Sequence, residues 1–289
     1  MIHPLSRLGL GTVQFGQAYG ISNTRGRVPL EDARTILSRA AAAGMRTLDT
    51  AAGYGEAEHV LGALASVTKP FRIVTKTIPL KNGLEGVLER ARQSVAILHR
   101  RPVDVLLVHA AGDLIGREGE ELWRRLKELR DEGLFRSIGI SAYVADDPIA
   151  LARRFGPDVM QVPLSLLDQR LVHSGALKTL KELGVEIHAR SLFLQGLLFL
   201  DEDRLPANLA AAAPHLRKVR ALFKEAGVTA LQAALAFALG TPEVDVGIVG
   251  VTTPGELEEI IAAAGKPIPE IDWAACAFDD PVVLTPSLW

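Results

Sequence analysis

The feature that most constrains this chain is a rhythm. Short apolar runs rich in Val, Ile and Leu alternate with amphipathic stretches about three times longer, the pattern of repeated βα units. Eight such runs occur, at 8–11, 47–49, 72–76, 103–109, 137–141, 159–162, 185–190 and 246–249. Helical periodicity fills the intervals, most clearly at 30–43, 84–98, 118–132 and 177–183. Pro29 stands near a helix start, and Gly44, Gly133 and Gly184 stand where a helix end takes a left-handed residue. No Ser/Gly linker or shift in composition divides the 289 residues, a length that barrels of this kind reach in one domain. The expectation is a single α/β domain over 1–289, folded as a closed (β/α)8 TIM barrel. Only 191–214 breaks the rhythm: it is long and irregular, either a functional loop or a surface insertion with a short helix of its own.

Composition narrows the partners. With 32 basic and 34 acidic residues the net charge is −2, so no global field draws the chain to nucleic acid or anionic lipid, and a small molecule is the expected partner. Cys276 is the only cysteine, which excludes an intrachain disulfide and a multi-cysteine zinc site. Residues 1–9 lack the order of a secretory signal, and no apolar run approaches the roughly 18 to 20 residues of a membrane span. A cytoplasmic protein without a membrane partner is expected. The sequence is silent on oligomeric state.

Active sites of such barrels gather at the C-terminal ends of the strands. The apolar runs close there on polar residues: Asp49, Lys76, His109, Ser141, Gln161 and Arg190. Residues alternating with these, such as Val74, Leu107 and Gly139, share their side of the strand and are expected to fill the barrel beneath. Tyr54 follows Asp49 in the adjoining loop. A free tyrosine, with a pKa of about 10, is a weak acid at neutral pH, but a neighbouring lysine cation stabilises the phenolate. Lys76 is placed for that part, with Asp49 holding Lys76 and His109 reaching the substrate oxygen. On spacing alone, a plain Asp49–Lys76 ion pair and a core histidine at 109 are equally good readings. His188 is expected inside the barrel as a hydrogen-bonded core residue, and Tyr19 and Tyr143 near the mouth.

The segment 49–62, DTAAGYGEAEHVLG, closely resembles the motif of the aldo-keto reductases. VTK at 74–76, LLVH at 106–109 and GIS at 139–141 follow in that family's order, and the resemblance runs from about residue 8 to 264. It implies a nicotinamide-dependent reductase of aldehyde, ketone or sugar carbonyls, with Asp49, Tyr54, Lys76 and His109 as the catalytic four and no metal. It implies a cofactor extended across the barrel mouth, and the chain indeed lacks a G-x-G-x-x-G fingerprint after a strand. By resemblance the cofactor-binding positions begin with Gly11 and Thr12, with Ser141 and Gln161 on the carboxamide. Ser191, Phe193, Gln195 and Gly196 of SLFLQG run past the pyrophosphate, and Gly250, Thr252, Thr253 and Glu259 lie about the adenosine end.

The chain departs from the family in four places. Ala142 replaces an asparagine that contacts the carboxamide. Arg190 replaces a ring-stacking tyrosine; it is expected to lie against the nicotinamide, to bind an anionic substrate, or to pair with a carboxylate of the long loop. Gly250 and Glu256 stand where NADPH-specific members carry basic residues, so NADPH is the cofactor the family implies, with NADH the alternative. Thr253, Pro254 and Glu256 also read as an N-cap, a first-turn proline and a capping-box acid. Few residues precede the first strand, so the family's N-terminal hairpin is expected to be shortened or absent. Two other readings stand beside the reductase: a nicotinamide-binding redox sensor on the same fold, and a metal-dependent hydrolase, against which the chain shows no H-x-H on a strand.

Overall fold

The apolar runs become eight parallel strands. In the computed structural model, which describes residues 4–289, they are β1 (Leu8–Gly11), β2 (Thr47–Asp49), β3 (Arg72–Lys76), β4 (Val103–Val108), β5 (Phe135–Ser141), β6 (Val159–Pro163), β7 (Glu186–Arg190) and β8 (Val246–Gly250). They pair in sequence order, and β1 closes the ring onto β8 with Leu8 beside Gly247 and Gly11 beside Gly250. The (β/α)8 barrel is the fold. Most strand residues are buried, by the barrel interior on one face and the surrounding helices on the other, so most runs carry no polar alternation; β7, in which Glu186, His188 and Arg190 alternate with Ile187 and Ala189, is the exception.

The barrel interior is layered. At its floor Arg72 on β3 holds Glu186 on β7 through two hydrogen bonds, 2.5 and 2.9 Å. Val74, Val105, Leu107 and Val159 form a buried apolar cluster above them. A Cβ on Gly139 would fall 2.1 Å from the Val159 carbonyl oxygen, so only glycine fits that layer. His188, fully buried in the interior, bonds Glu186 through Nε2 at 2.8 Å. Above the apolar layer the side chains turn polar.

The amphipathic helices bury one stripe each, while Ala230–Gly240 is buried at every position from Gln232 to Ala238. Leu30–Ala42 presents Ala33, Ile36, Leu37 and Ala40 to the core, and Gly119–Asp131 presents Leu122, Trp123, Leu126 and Leu129. Each buried leucine contributes about 1.5–3 kcal/mol, so Leu126→Ala would cost about 2–5 kcal/mol with the cavity it leaves. Gly44, Gly133 and Gly184 take positive φ at helix ends. Helix limits differ by one residue from the periodicity, because final turns fray. β5 starts at Phe135, earlier than the apolar run, because Phe135 pairs with Val103.

Ahead of β1 the described residues form one 3-10 turn, Pro4–Arg7, and the Arg7 guanidinium donates to the carbonyls of Leu239, Thr241 and Val244. The stretch after β7 folds into short 3-10 turns, Leu194–Phe199, Glu202–Arg204 and Ala207–Ala212, before the helix Ala213–Glu225. At the C-terminal end the Trp289 indole turns back onto the Val282 carbonyl at 2.9 Å. Among the described residues no single helix is long and apolar enough to cross a membrane.

Candidate active site

The polar strand ends converge on one cluster at the barrel mouth. Lys76, closing β3, points its ammonium at Asp49 Oδ2 (2.7 Å), the Thr50 carbonyl (3.0 Å) and the Tyr54 hydroxyl (3.4 Å). Its side chain is 1% exposed and that of Asp49 6%, so this ion pair is almost wholly removed from water. Burial acts to strip the proton from Lys76, but Asp49 and Tyr54 outweigh it and the net shift is upward. Lys76 is therefore a fixed cation with three oxygens around it. The other Asp49 oxygen accepts from the Gln161 amide at 2.6 Å.

Local structure carries Tyr54 to that cation. Beyond β2 the ladder continues with Thr50 N–H to the Val74 carbonyl and Ala52 N–H to the Lys76 carbonyl, and the chain then turns through Tyr54 N–H to the Ala51 carbonyl. Gly55 follows with φ +52. Gly16, in the turn after β1, packs directly against this loop: a Cβ there would lie 1.7 Å from the Tyr54 carbonyl oxygen. No other residue fits, and Gly16 is a site-forming position that the sequence reading missed. Its only signal was a glycine shortly after a strand, too common to single out.

Glu58 supports the same loop from outside the barrel. Thr75 precedes Lys76 and faces outward, where its hydroxyl donates to the buried Glu58 carboxylate at 2.6 Å. Arg90 (2.6 Å) and Ser94 (3.1 Å) donate to the other carboxylate oxygen. The helix Ala57–Ala63 is thereby tied to β3 beside the lysine that Tyr54 must meet. Motif spacing holds this acid, but its role became visible only with its partners in place.

His109 lies one residue past β4, where its N–H leaves the ladder for Thr77 Oγ1 at 3.2 Å. Its ring meets Tyr54 edge-on, 5.6 Å between centroids. Burial, and after it the Lys76 cation, lower its pKa to about 4. The imidazole is neutral at pH 7 and offers a hydrogen bond rather than a charge.

The remaining predicted positions separate into groups. Gly11 pairs with Asp49 and Gly250, and Thr12 is buried with both its N–H (2.9 Å) and its hydroxyl (3.1 Å) on the Asp49 carbonyl. Ser141, 5% exposed, has no hydrogen-bond partner for its hydroxyl among the described residues. Arg190 stacks on Tyr143, its guanidinium carbon 4.1 Å from the ring centroid, and no carboxylate of the long loop pairs with it among the described residues. Ser191 (φ +64) is left-handed, as are Leu194, Gln195 and Gly196 (φ +46, +53 and +94), and the Gln195 carbonyl accepts from Ser22 at 3.5 Å, while Phe193 packs on Phe199. Gly250 sits beside Gln14, whose Oε1 is buried without a partner.

Thr253 caps the helix Pro254–Ala264 by accepting from Glu256 N–H. The Glu256 carboxylate reaches back to the Thr252 N–H (2.6 Å) and hydroxyl (2.8 Å), one residue earlier than a capping box requires. Glu259 is exposed on that helix and is not brought to the others. His59 is exposed, 3.7 Å from Glu56.

A fully buried ammonium 2.7 Å from an aspartate and 3.4 Å from a phenol, at the mouth of a closed parallel barrel, is the arrangement of a positioned acid. The sequence profile of the Aldo/keto reductase family matches residues 7–277. The chain belongs to the aldo/keto reductase family. L-galactose dehydrogenase of Arabidopsis thaliana is 26% identical over 277 residues, 90% of this chain and 84% of the plant protein. A protein of Mycobacterium tuberculosis described as an uncharacterized oxidoreductase is 27% identical over 290 residues, 91% of this chain and 85% of its own. Among solved structures, an aldo-keto reductase from Bacillus halodurans in its holo form superposes with a TM-score of 0.74 at 19% identity, covering 98% of this chain and 93% of that one, a likeness of fold. This aldo/keto reductase is, on that membership and those relatives, an oxidoreductase.

Proposed function

We propose that the protein reduces an aldehyde, ketone or sugar carbonyl to an alcohol with a nicotinamide cofactor, Tyr54 supplying the proton. The observation that carries this reading is the Tyr54 hydroxyl held 3.4 Å from a buried, permanently charged Lys76. The residues present fit a nicotinamide. The unpartnered Ser141 hydroxyl suits an amide, and the uncharged His109 suits a neutral carbonyl oxygen. When bound, the nicotinamide supplies the hydride.

The protein's own groups manage the proton. A substrate oxygen resting between Tyr54 and His109 receives two hydrogen bonds, and as negative charge grows on it the phenol gives up its proton. The Lys76 ammonium stabilises the phenolate left behind. Asp49, gripped by Gln161 and by Thr12 through its carbonyl, keeps that ammonium charged and aimed. In the reverse direction the phenolate accepts the proton of an alcohol. A sugar is among the classes to test, since the plant relative is named as an L-galactose dehydrogenase.

Resemblance to the family puts the adenosine end at the start of the helix Pro254–Ala264. There the Glu256 carboxylate already takes the Thr252 N–H and hydroxyl, and its charge repels a 2′-phosphate. This shifts the expected cofactor from NADPH, the family's general preference, to NADH. The single buried cysteine, Cys276, suits a reducing cytoplasm. The test is a pair of fluorescence titrations, NADH against NADPH, followed by a panel of aldehydes, ketones and sugars with the tighter cofactor. Expected are tighter NADH binding and turnover of at least one carbonyl class. Tight binding with no turnover across the panel would replace the reductase by a redox sensor.

A further inference from the structure

Arg190 closes β7 half-buried at the mouth, beside Pro163 of β6. Other half-buried arginines of the chain are satisfied in one of two ways: Arg7 by three backbone carbonyls, and several others by a carboxylate. Arg72 takes both oxygens of Glu186, Arg90 takes Glu58, and Arg170 takes both oxygens of Asp168. Arg190 has instead a Ser191 hydroxyl at 3.3 Å and the Ala142 carbonyl at 3.5 Å, both neutral and both long. Among the described residues it has no carboxylate partner, although acids outnumber bases in the chain.

Two acids that follow Ala142 and Tyr143 in the chain are committed elsewhere. Asp146 turns its carboxylate to the Tyr143 N–H at 2.7 Å, and Asp147 caps the helix Pro148–Phe155 at Ala150 N–H. Asp49 has both oxygens occupied, by Lys76 and Gln161. The mouth thus holds one neutralised pair, a neutral His109 and one uncompensated guanidinium. A partly desolvated cation without a counter-ion costs free energy that an arriving anion recovers.

The stacking on Tyr143 shapes what can arrive. The guanidinium carbon lies 4.1 Å from the Tyr143 ring centroid, which holds the group at the mouth, and a planar guanidinium presents the fork of N–H donors that an oxyanion accepts. The Tyr19 phenol, 39% exposed, stands within the electrostatic reach of Tyr54, Tyr143 and Arg190, and partial burial, followed by those phenols, pushes its pKa upward. It remains a neutral hydrogen-bond donor that cannot compete with an anion for Arg190.

Resting on the reductase reading of this site, we propose that the carbonyl compound reduced here carries an oxyanion, carboxylate or phosphate, which the Arg190 guanidinium grips while its carbonyl meets Tyr54. Charge at the substrate end remote from the reacting carbon then selects the substrate.

The experiment uses matched pairs: 4-carboxybenzaldehyde against its methyl ester, and glyceraldehyde 3-phosphate against glyceraldehyde, assayed on wild type, Arg190→Met and Arg190→Lys. For at least one pair, wild-type kcat/KM should favour the anion by about 10- to 100-fold. That ratio should fall to about 1 in Arg190→Met and be partly kept in Arg190→Lys. The pair that responds separates carboxylate from phosphate. Neutral carbonyls reduced as well as anionic ones in wild type would overturn the inference and leave the reductase standing. Equal losses on both members in Arg190→Met, with weakened cofactor binding in a direct titration, would overturn it in favour of a guanidinium lying against the nicotinamide. A measurement on wild type alone guards against misfolded variants and absent turnover: calorimetry on the cofactor-loaded protein should show benzoate or inorganic phosphate binding at least about tenfold more tightly than benzamide. No preference for either anion over benzamide would contradict the site itself.

Discussion

Removing the charge from either member of the Lys76–Asp49 pair should destabilise the barrel more than removing both. The pair is 2.7 Å long with side chains 1% and 6% exposed, so Lys76→Met leaves a carboxylate facing one amide in a dry interior. Breaking a buried pair in this way costs about 3–5 kcal/mol. For a chain of this size each kcal/mol lowers Tm by about 2 °C, so the fall should be about 6–10 °C. Asp49→Asn strands the ammonium instead, with the Thr50 carbonyl as its main remaining acceptor, and should cost a similar amount. In the double variant no unpaired charge is left, and Gln161 still has an amide oxygen to bond. Its loss should be smaller than either single loss, and so fall short of their sum by at least about 3 kcal/mol. Urea denaturation of the cofactor-free protein, followed through Trp123, Trp273 and Trp289, measures all four corners of the cycle. Turnover separates the two roles of the pair: stability partly returns in the double variant, while activity does not. Additive losses, within about 0.5 kcal/mol, would refute a buried pair held by mutual attraction.

The histidine gives a pH signature. With its pKa lowered to about 4, His109 stays neutral as pH falls through 6.5, so kcat/KM should show no acid limb near 6.5 and should fall only as pH approaches about 4; a midpoint between 6 and 7 would contradict the desolvated site. The same shift makes the folded state bind fewer protons than the unfolded chain below pH 6.5, so His109→Gln should reduce the loss of stability between pH 6.5 and about 4, read from urea midpoints across that range. Glu186 works lower on the scale: burial raises its pKa, but hydrogen bonds from His188 and Arg72 outweigh this and bring it to about 2. Its contribution is therefore complete above about pH 4.5 and lost as pH falls through about 2, and Glu186→Gln should flatten the acid-unfolding curve in that window; an unchanged curve would mean the barrel floor is not held there.

The barrel was legible because most strand residues are buried on both faces, which writes strands such as β4 and β8 as nearly continuous apolar runs. Asp49, Lys76, His109, Ser141 and Arg190 stood out for the same reason: each ends such a run with a group the core would not tolerate. Which of them touch was less readable. Strand stagger decides it, so Gln161 was placed beside the cofactor by family likeness and in the structure turns its amide onto Asp49. Gly16 and Glu58 escaped because their reasons lie in other segments, a carbonyl of the Tyr54 loop for one and the first part of β3 with the Arg90 helix for the other. Arg190 kept three possible partners in the sequence, and only coordinates could show it stacked on Tyr143 with no carboxylate partner among the described residues of the long loop.

Everything chemical here depends on the Tyr54 hydroxyl being the group that gives the proton. Tyr54→Phe deletes that oxygen and leaves the ring, which meets His109 at 5.6 Å and the Lys76 ammonium at 4.9 Å from its centroid. With the best carbonyl found and saturating cofactor, turnover should fall by about 10²- to 10⁴-fold, while the cofactor dissociation constant stays within about threefold of wild type. Turnover in Tyr54→Phe within about fivefold of wild type would assign the proton to another residue.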